Sequence, residues 1–233
     1  IEVINNVSWT AGSRLMRGEG DGRLNHIGNY NDYGTRAITD RRMNMYHYRS
    51  AAPPSIYTSG NRIVAVNMNA PITSSLEELF ADNRRMWRVF QPSEGFEIGD
   101  PLPAAYFTDV QHDLLGAPTV VLSADEALVD VRENVGANAR LNGDGAVVDN
   151  LDVLDTEWLG NVRSGTYVAR VNRSEYNVPL IDGGAPYVDT DRDGMPDAWE
   201  SSRGLDPEVD DSAGDDDADG YTNLEEFLNQ VDF

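Results

Sequence analysis

The stretch "DTDRDGMPDAWE", residues 189–200, sets Asp189, Asp191 and Asp193 at alternate positions, followed by Gly194, Asp197 and Glu200. Residues 215–226, "DDDADGYTNLEE", repeat the register with Asp215, Asp217, Asp219, Gly220, Asn223 and Glu226. Carboxylates at alternate positions of a short loop converge on one point, where they repel one another strongly unless a cation sits there. A hard cation with oxygen ligands suits this arrangement. The sixth-position glycine permits a sharp turn. The seventh residue, Met195 or Tyr221, offers a backbone carbonyl, and the twelfth-position glutamate can bind through both oxygens. A solvated acidic loop is the competing reading of one isolated match. Two complete registers, each running into a short helical stretch ("AWESSR" and "LEEFLNQ"), favour two bound calcium ions.

This is the EF-hand type of calcium loop, and the paired loops also resemble thrombospondin type 3 tails. The candidate ligands are Asp189, Asp191, Asp193, Met195, Asp197 and Glu200 in the first loop. Asp215, Asp217, Asp219, Tyr221, Asn223 and Glu226 are those of the second.

Elements must hold such loops, and the remaining composition says what kind. The chain has 233 residues and a formal net charge of −22, unevenly spread. Residues 1–90 carry eleven arginines and eight acids, whereas residues 91–233 carry seven arginines and thirty-two acids. There is no lysine, which fits a salt-adapted surface and a compositional bias equally well. The acidic excess argues against a nucleic-acid partner. No cysteine is present to report on redox compartment. No run of about 18 apolar residues exists to span a membrane. The opening "IEVINNVSWTAG" has neither initiator methionine nor leader and begins inside a strand-like stretch, so the expectation is a processed or truncated piece of an exported protein.

Short β-rich segments recur around an asparagine: "VINNVSW" at Asn6, "HIGNYND" at Asn29 and "YTSGNRI" at Asn61, spaced by 23 and 32 residues. A period of about 20–30 residues with one strand set per repeat signals a solenoid, in which aligned asparagines can hydrogen-bond along the stack. A β-sandwich with asparagine turns is the alternative. "TRAITDRRMNMYHYRSAAPPS" would be an inserted loop in the longer interval. Downstream, Ser123 and Glu126 form a capping box ahead of a helix that ends at Gly136, with Ala127, Leu128 and Val131 on its apolar face. Val147, Leu151, Leu154, Trp158 and Val162 fall at helical intervals and predict a second helix packed on the solenoid. "SLEELFADNRRMWRVF" reads as one short helix with Arg84, Arg85 and Arg88 on one face, suited to ion pairs. His26, His47 and His112 have no metal-ligand spacing. "GEGDG" at 18–22 is a turn signal, with no strand-to-helix context for a phosphate cradle.

"IEVINNVSWTAGSRLMRGEGDGRLNHIGNYNDYG", "SIYTSGNRI" and "FADNRRMW" follow one another as do the late coils of the pectate lyase family. "ALVDVRENVGANAR", "VVDNLDVLDTEWLGNVRSGT" and the acidic tail resemble the C-terminal region of its bacterial members. The resemblance implies a mainly β fold: the last coils of a right-handed parallel β-helix over 1–120, helical or extended packing segments over 121–185, and a paired EF-hand-like calcium module over 186–233. It implies β-elimination in a secreted, pectate-like polyuronate lyase. There, calcium acidifies a sugar proton and an arginine removes it. In the family, that arginine and the aspartates holding the catalytic calcium precede the "NNV" coil. No catalytic residue is therefore expected in this chain, and its partner would be the N-terminal half of the same β-helix, packing on Ile1, Val3, Ile4 and Val7.

An acidic polysaccharide would meet cationic and aromatic side chains: Arg14 and Arg17 beside the early coils, with Arg23, and Arg36, Arg41, Arg42, Tyr46 and Tyr48 in the loop. Arg49 and His47 lie in the same loop, which could equally pack on the chain's own acidic half. Two other classes compete. One is an extracellular assembly protein that keeps the β-helix and has lost catalysis. The other is a dockerin-like binding module, although dockerin loops usually end in aspartate where this chain has Glu200 and Glu226.

Overall fold

The computed structural model describes residues 1–9, 16–19, 21–35, 43–47, 53–64, 74–90, 96–113, 120–136, 139–141, 147–167 and 186–229. They form two compact units: Ile1–Val135 with Asn161–Arg170, and Gly136–Gly160 with Val171–Phe233.

In the first unit, strands come in threes. The first three are β1 (Glu2–Ile4), β2 (Val7–Ser8) and β3 (Arg17–Glu19). Next are β4 (Arg23–Ile27), β5 (Tyr30–Asp32) and β6 (Asn44–His47), then β7 (Ser55–Ser59), β8 (Arg62–Val64) and β9 (Trp87–Val89). Each strand pairs in parallel with its counterpart three strands on. Three separate sheets result, ordered β1-β4-β7, β2-β5-β8 and β3-β6-β9. Val3 faces His26, Asn25 faces Tyr57, and Tyr46 faces both Gly18 and Val89.

The corner between the first and second sheets explains the recurring asparagine. Asn5, Gly28 and Gly60 each take a left-handed backbone, with φ of 53°, 60° and 66°. The residue after each is a ladder asparagine. Asn6 donates to Asn29 Oδ1 through its backbone N–H at 2.9 Å and its amide at 3.1 Å. Asn29 does the same to Asn61 Oδ1 at 3.0 and 2.7 Å, and Asn61 to Asn83 Oδ1 at 2.6 and 3.0 Å. The amides of Asn29, Asn61 and Asn83 are buried and would be costly without partners, and the ladder satisfies them. Gly28 is required as glycine, because a Cβ there would stand 2.5 Å from the Leu122 carbonyl oxygen and 2.6 Å from Asn5 Nδ2.

Between the sheets lie Leu24, Tyr33, Met43, Ile56, Ile63, Leu79, Met86, Trp87, Val89 and Leu102, all buried. Outer segments are pinned by two more asparagines. Asn25 exchanges hydrogen bonds with the backbone of His112 at 2.7 and 3.0 Å, and Asn5 with that of Leu122 at 2.7 and 2.8 Å. Helix α2 (Ala124–Asn134) starts on the Ser123–Glu126 capping box. It sets Ala124 and Leu128 against Tyr30, with Val7, Val64 and Val162 alongside.

Two sequence expectations need correction. Residues 147–164 are not one helix. Val147–Asp149 is a strand, β11, paired antiparallel with β10 (Ala139–Leu141), and α3 begins only at Val153 and runs to Ser164. Trp158 is 63% exposed rather than packed. Asp149 accepts from the Leu151 N–H and Asp152 from Leu154 and Asp155, so the Asp-rich turn restarts the chain as a helix. The stretch 75–89 likewise divides into α1 (Leu76–Ala81), a 3₁₀ turn at Asn83–Met86, and β9. Asp82 ends the helix by capping the next turn through the Arg84 N–H. Arg84 pairs with Asp109 and Arg85 with Asp82, whereas Arg88 is buried in β9.

Candidate metal centre

The acidic loops belong to the second unit. Helix α4 (Asp197–Arg203) closes the first loop and α5 (Asn223–Asn229) the second. Met195, Trp199 and Phe227 form a small core between these helices, with Leu205 and Leu224 against it. The α4 helix stops at Gly204, whose φ of 86° is the left-handed conformation of a helix C-terminus.

Both loops have the same backbone. The fourth residue, Arg192 or Ala218, is left-handed at φ 67° or 63°, and the sixth, Gly194 or Gly220, lies at φ 101° or 104°. The first aspartate accepts from the sixth-residue N–H, at 3.2 Å for Asp189 and 3.1 Å for Asp215. The third accepts from the fifth at 3.1 Å in each loop, and the fifth from the seventh at 2.9 and 2.8 Å. The ninth side chain is turned to the second-residue N–H, Asp197 to Thr190 at 2.7 Å and Asn223 to Asp216 at 3.2 Å. Asp197 also accepts from Thr190 Oγ1 at 2.6 Å. The ninth residues therefore brace the loops. Asp191, Asp193, Asp217 and Asp219 each turn Oδ1 to a backbone N–H, whereas both oxygens of Asp189 and of Asp215 accept from the backbone of their own loop.

Carboxylate oxygens of Asp189, Asp191 and Asp193 lie within 4.8 Å of one another, as do those of Asp215, Asp217 and Asp219. Two ligands across one calcium ion stand at most about 4.8–5 Å apart, so either trio fits a single hard cation. The two sites differ in burial. The second trio is exposed, whereas Glu200 of the first loop is fully buried. Neither Glu200 oxygen has a hydrogen-bond partner among the described residues, nor do Asp191 Oδ2, Asp193 Oδ2 and Asp211 Oδ1. Orphaned buried acceptors of one sign are costly alone and are the oxygen-only donor set a hard divalent cation requires. Burial, then the charges of Asp191, Asp193, Asp211 and Asp197, push the Glu200 carboxyl up to about 7. Met195 is buried in the small core, Tyr221 is exposed, and Glu226 is buried. Asp211, absent from the sequence reading, brings an oxygen within 4.8 Å of those of Asp193 and Glu200. Lying outside both loop registers, it carried no spacing signal.

The expected sugar-binding residues are mostly beyond what is described. Arg14, Arg36, Arg41, Arg42 and Tyr48 fall outside the described residues, while Arg17 and Tyr46 are placed only by backbone, in β3 and β6. His26 is buried edge-on to Trp87 at 5.3 Å, and burial lowers its imidazole to about 4. His112 meets the Ser55 carbonyl at 2.9 Å.

The chain is 33% identical over 126 residues to a probable pectate lyase C of Emericella nidulans. That match covers 53% of this chain and 27% of the relative, little more than a quarter of its length. No family model matches the chain. Among the described residues no helix is long and apolar enough to cross a membrane.

Proposed function

We propose that this chain is the C-terminal portion of a secreted, calcium-dependent polysaccharide lyase that acts on a pectate-like polyuronate by β-elimination. The similarity to a probable pectate lyase carries the reading. The strand triplets and the asparagine ladder support it, read as the last coils of a right-handed parallel β-helix. Two calcium ions occupy the acidic loops and serve the fold of the tail. One is held by Asp189, Asp191, Asp193 and Glu200, the other by Asp215, Asp217, Asp219 and Glu226, with the Met195 and Tyr221 carbonyls adding a ligand to each.

The catalytic arginine and the substrate-bridging calcium belong to preceding coils, which pair with β1, β2 and β3. Each of these is the edge strand of its sheet. The expected test outcome is that polygalacturonate with calcium yields ultraviolet-absorbing unsaturated uronate only when this chain is joined to the preceding coils. Product from this chain alone would place the catalytic arginine within it. No product from the joined protein would end the lyase reading in favour of an assembly protein.

A further inference from the structure

Asp211 stands in the segment joining the two loops, outside the twelve positions of either. We propose that it is a ligand of the first cation, so that this site is a cage closed from outside its own loop. The inference rests on the calcium reading of the tail. Three observations support it. An Asp211 carboxylate oxygen shares the 4.8 Å cluster with Asp193 and Glu200. Asp211 Oδ1 is buried without a hydrogen-bond partner among the described residues. Glu200, fully buried with both oxygens equally unpartnered, faces the same point.

The backbone around Asp211 is fixed rather than loose. Its carbonyl accepts from the Gly214 N–H at 2.7 Å and from Asn223 Nδ2 at 2.9 Å. The Gly214 carbonyl in turn accepts from the Asn223 N–H at 2.7 Å, and that of Ser212 from Leu224 at 3.1 Å. The turn 211–214 is thus clamped to the start of α5, and it holds the Asp211 carboxylate over the first loop. Asn223 is a positioning residue here. Its amide is committed to Asp216 and Asp211 rather than to the cation of its own loop.

The test titrates calcium calorimetrically into the 233-residue chain and into D211N, which keeps the shape and the backbone bonds but removes the charge. The expected result is that one of two sites weakens by about tenfold or more while the other stays within about twofold. Melting in chelator separates ligation from packing. D211N should melt no lower than the unchanged protein without calcium, since a like charge is gone, and should gain less when calcium is added. Unchanged affinity at both sites, or an equal loss of stability with and without calcium, would overturn the proposal. Failure of the unchanged chain to bind calcium would instead remove the reading beneath it.

Discussion

Glu200 concentrates the chemistry of the tail in one carboxyl. Its raised pKa of about 7 has a sign that can be worked out. A carboxyl that holds its proton more tightly when folded loses stability as pH rises from its ordinary range, near 4.5, through 7. Without calcium, the tail should therefore be more stable at pH 5 than at pH 8, an inversion of the usual behaviour of paired carboxylates. With calcium, the proton and the ion compete for the same oxygens, and affinity should fall steeply as pH drops below about 7. Replacing Glu200 with Gln should raise the melting temperature in chelator and abolish calcium's stabilising effect at the first site; a lower melting temperature in chelator would contradict this. His26 runs the other way. Burial depresses it to about 4, so its contribution is present above its ordinary value and is lost as pH falls from about 6.5 towards 4, on the order of 3 kcal/mol at most. Substitution with Gln should flatten that acid limb in a denaturant titration. The loop aspartates were legible because alternate spacing fixes geometry within twelve residues. Asp211 was not, since its place depends on a turn clamped by Asn223 and Gly214.

At the scale of elements, the ladder makes the sharpest prediction. Asn61 Oδ1 accepts from the Asn29 N–H and amide, and its own amide donates to the His26 carbonyl at 2.8 Å and to Asn83. Asn61→Ala leaves several buried groups without partners, each costing about 1–3 kcal/mol, so a loss of at least about 3 kcal/mol is expected in urea unfolding. Asn61→Asp keeps the shape and the acceptor but turns a donor towards Asn83 Oδ1 into a second acceptor, and should cost as much. Gly214→Ala tests the clamp. Its Cβ would lie 3.0 Å from both Asn223 Nδ2 and the Asp211 carbonyl oxygen, so the bond between these two must give by a few tenths of an ångström. First-site calcium affinity should fall although no ligand has changed. The ladder could be read from Asn6, Asn29 and Asn61 because each corner repeats one left-handed residue followed by asparagine. Asn83 breaks that local pattern, since it opens a 3₁₀ turn after Asp82. The split at 147–153 was hidden for a related reason. Val147, Leu151 and Leu154 satisfy a helical period by count, and only the side-chain caps of Asp149 and Asp152 decide where the helix begins.

For the whole molecule, the two units differ in what can hold them folded. The first has a continuous buried cluster from Leu24 to Leu102 and a ladder of satisfied amides. In the second, residues 186–229 carry fifteen acids and, among the described residues, a core of three buried side chains, Met195, Trp199 and Phe227. So small a core cannot offset the repulsion of clustered carboxylates and the entropy of ordering the loops. The proposed cations must supply the difference, through mass action on the folded form. Chelation should therefore release amide protection across residues 186–229 while leaving that of β4, β5, β7 and β8 unchanged in hydrogen exchange. Restoring calcium should return protection with a midpoint set by the weaker site. Added sodium chloride without calcium should recover only part of it, because screening softens repulsion between exposed groups such as Asp215, Asp217 and Asp219 but reaches the buried Glu200 poorly. Full protection of the tail in chelator at low salt would show that its three-residue core suffices, and that the acidic loops are not the source of its stability.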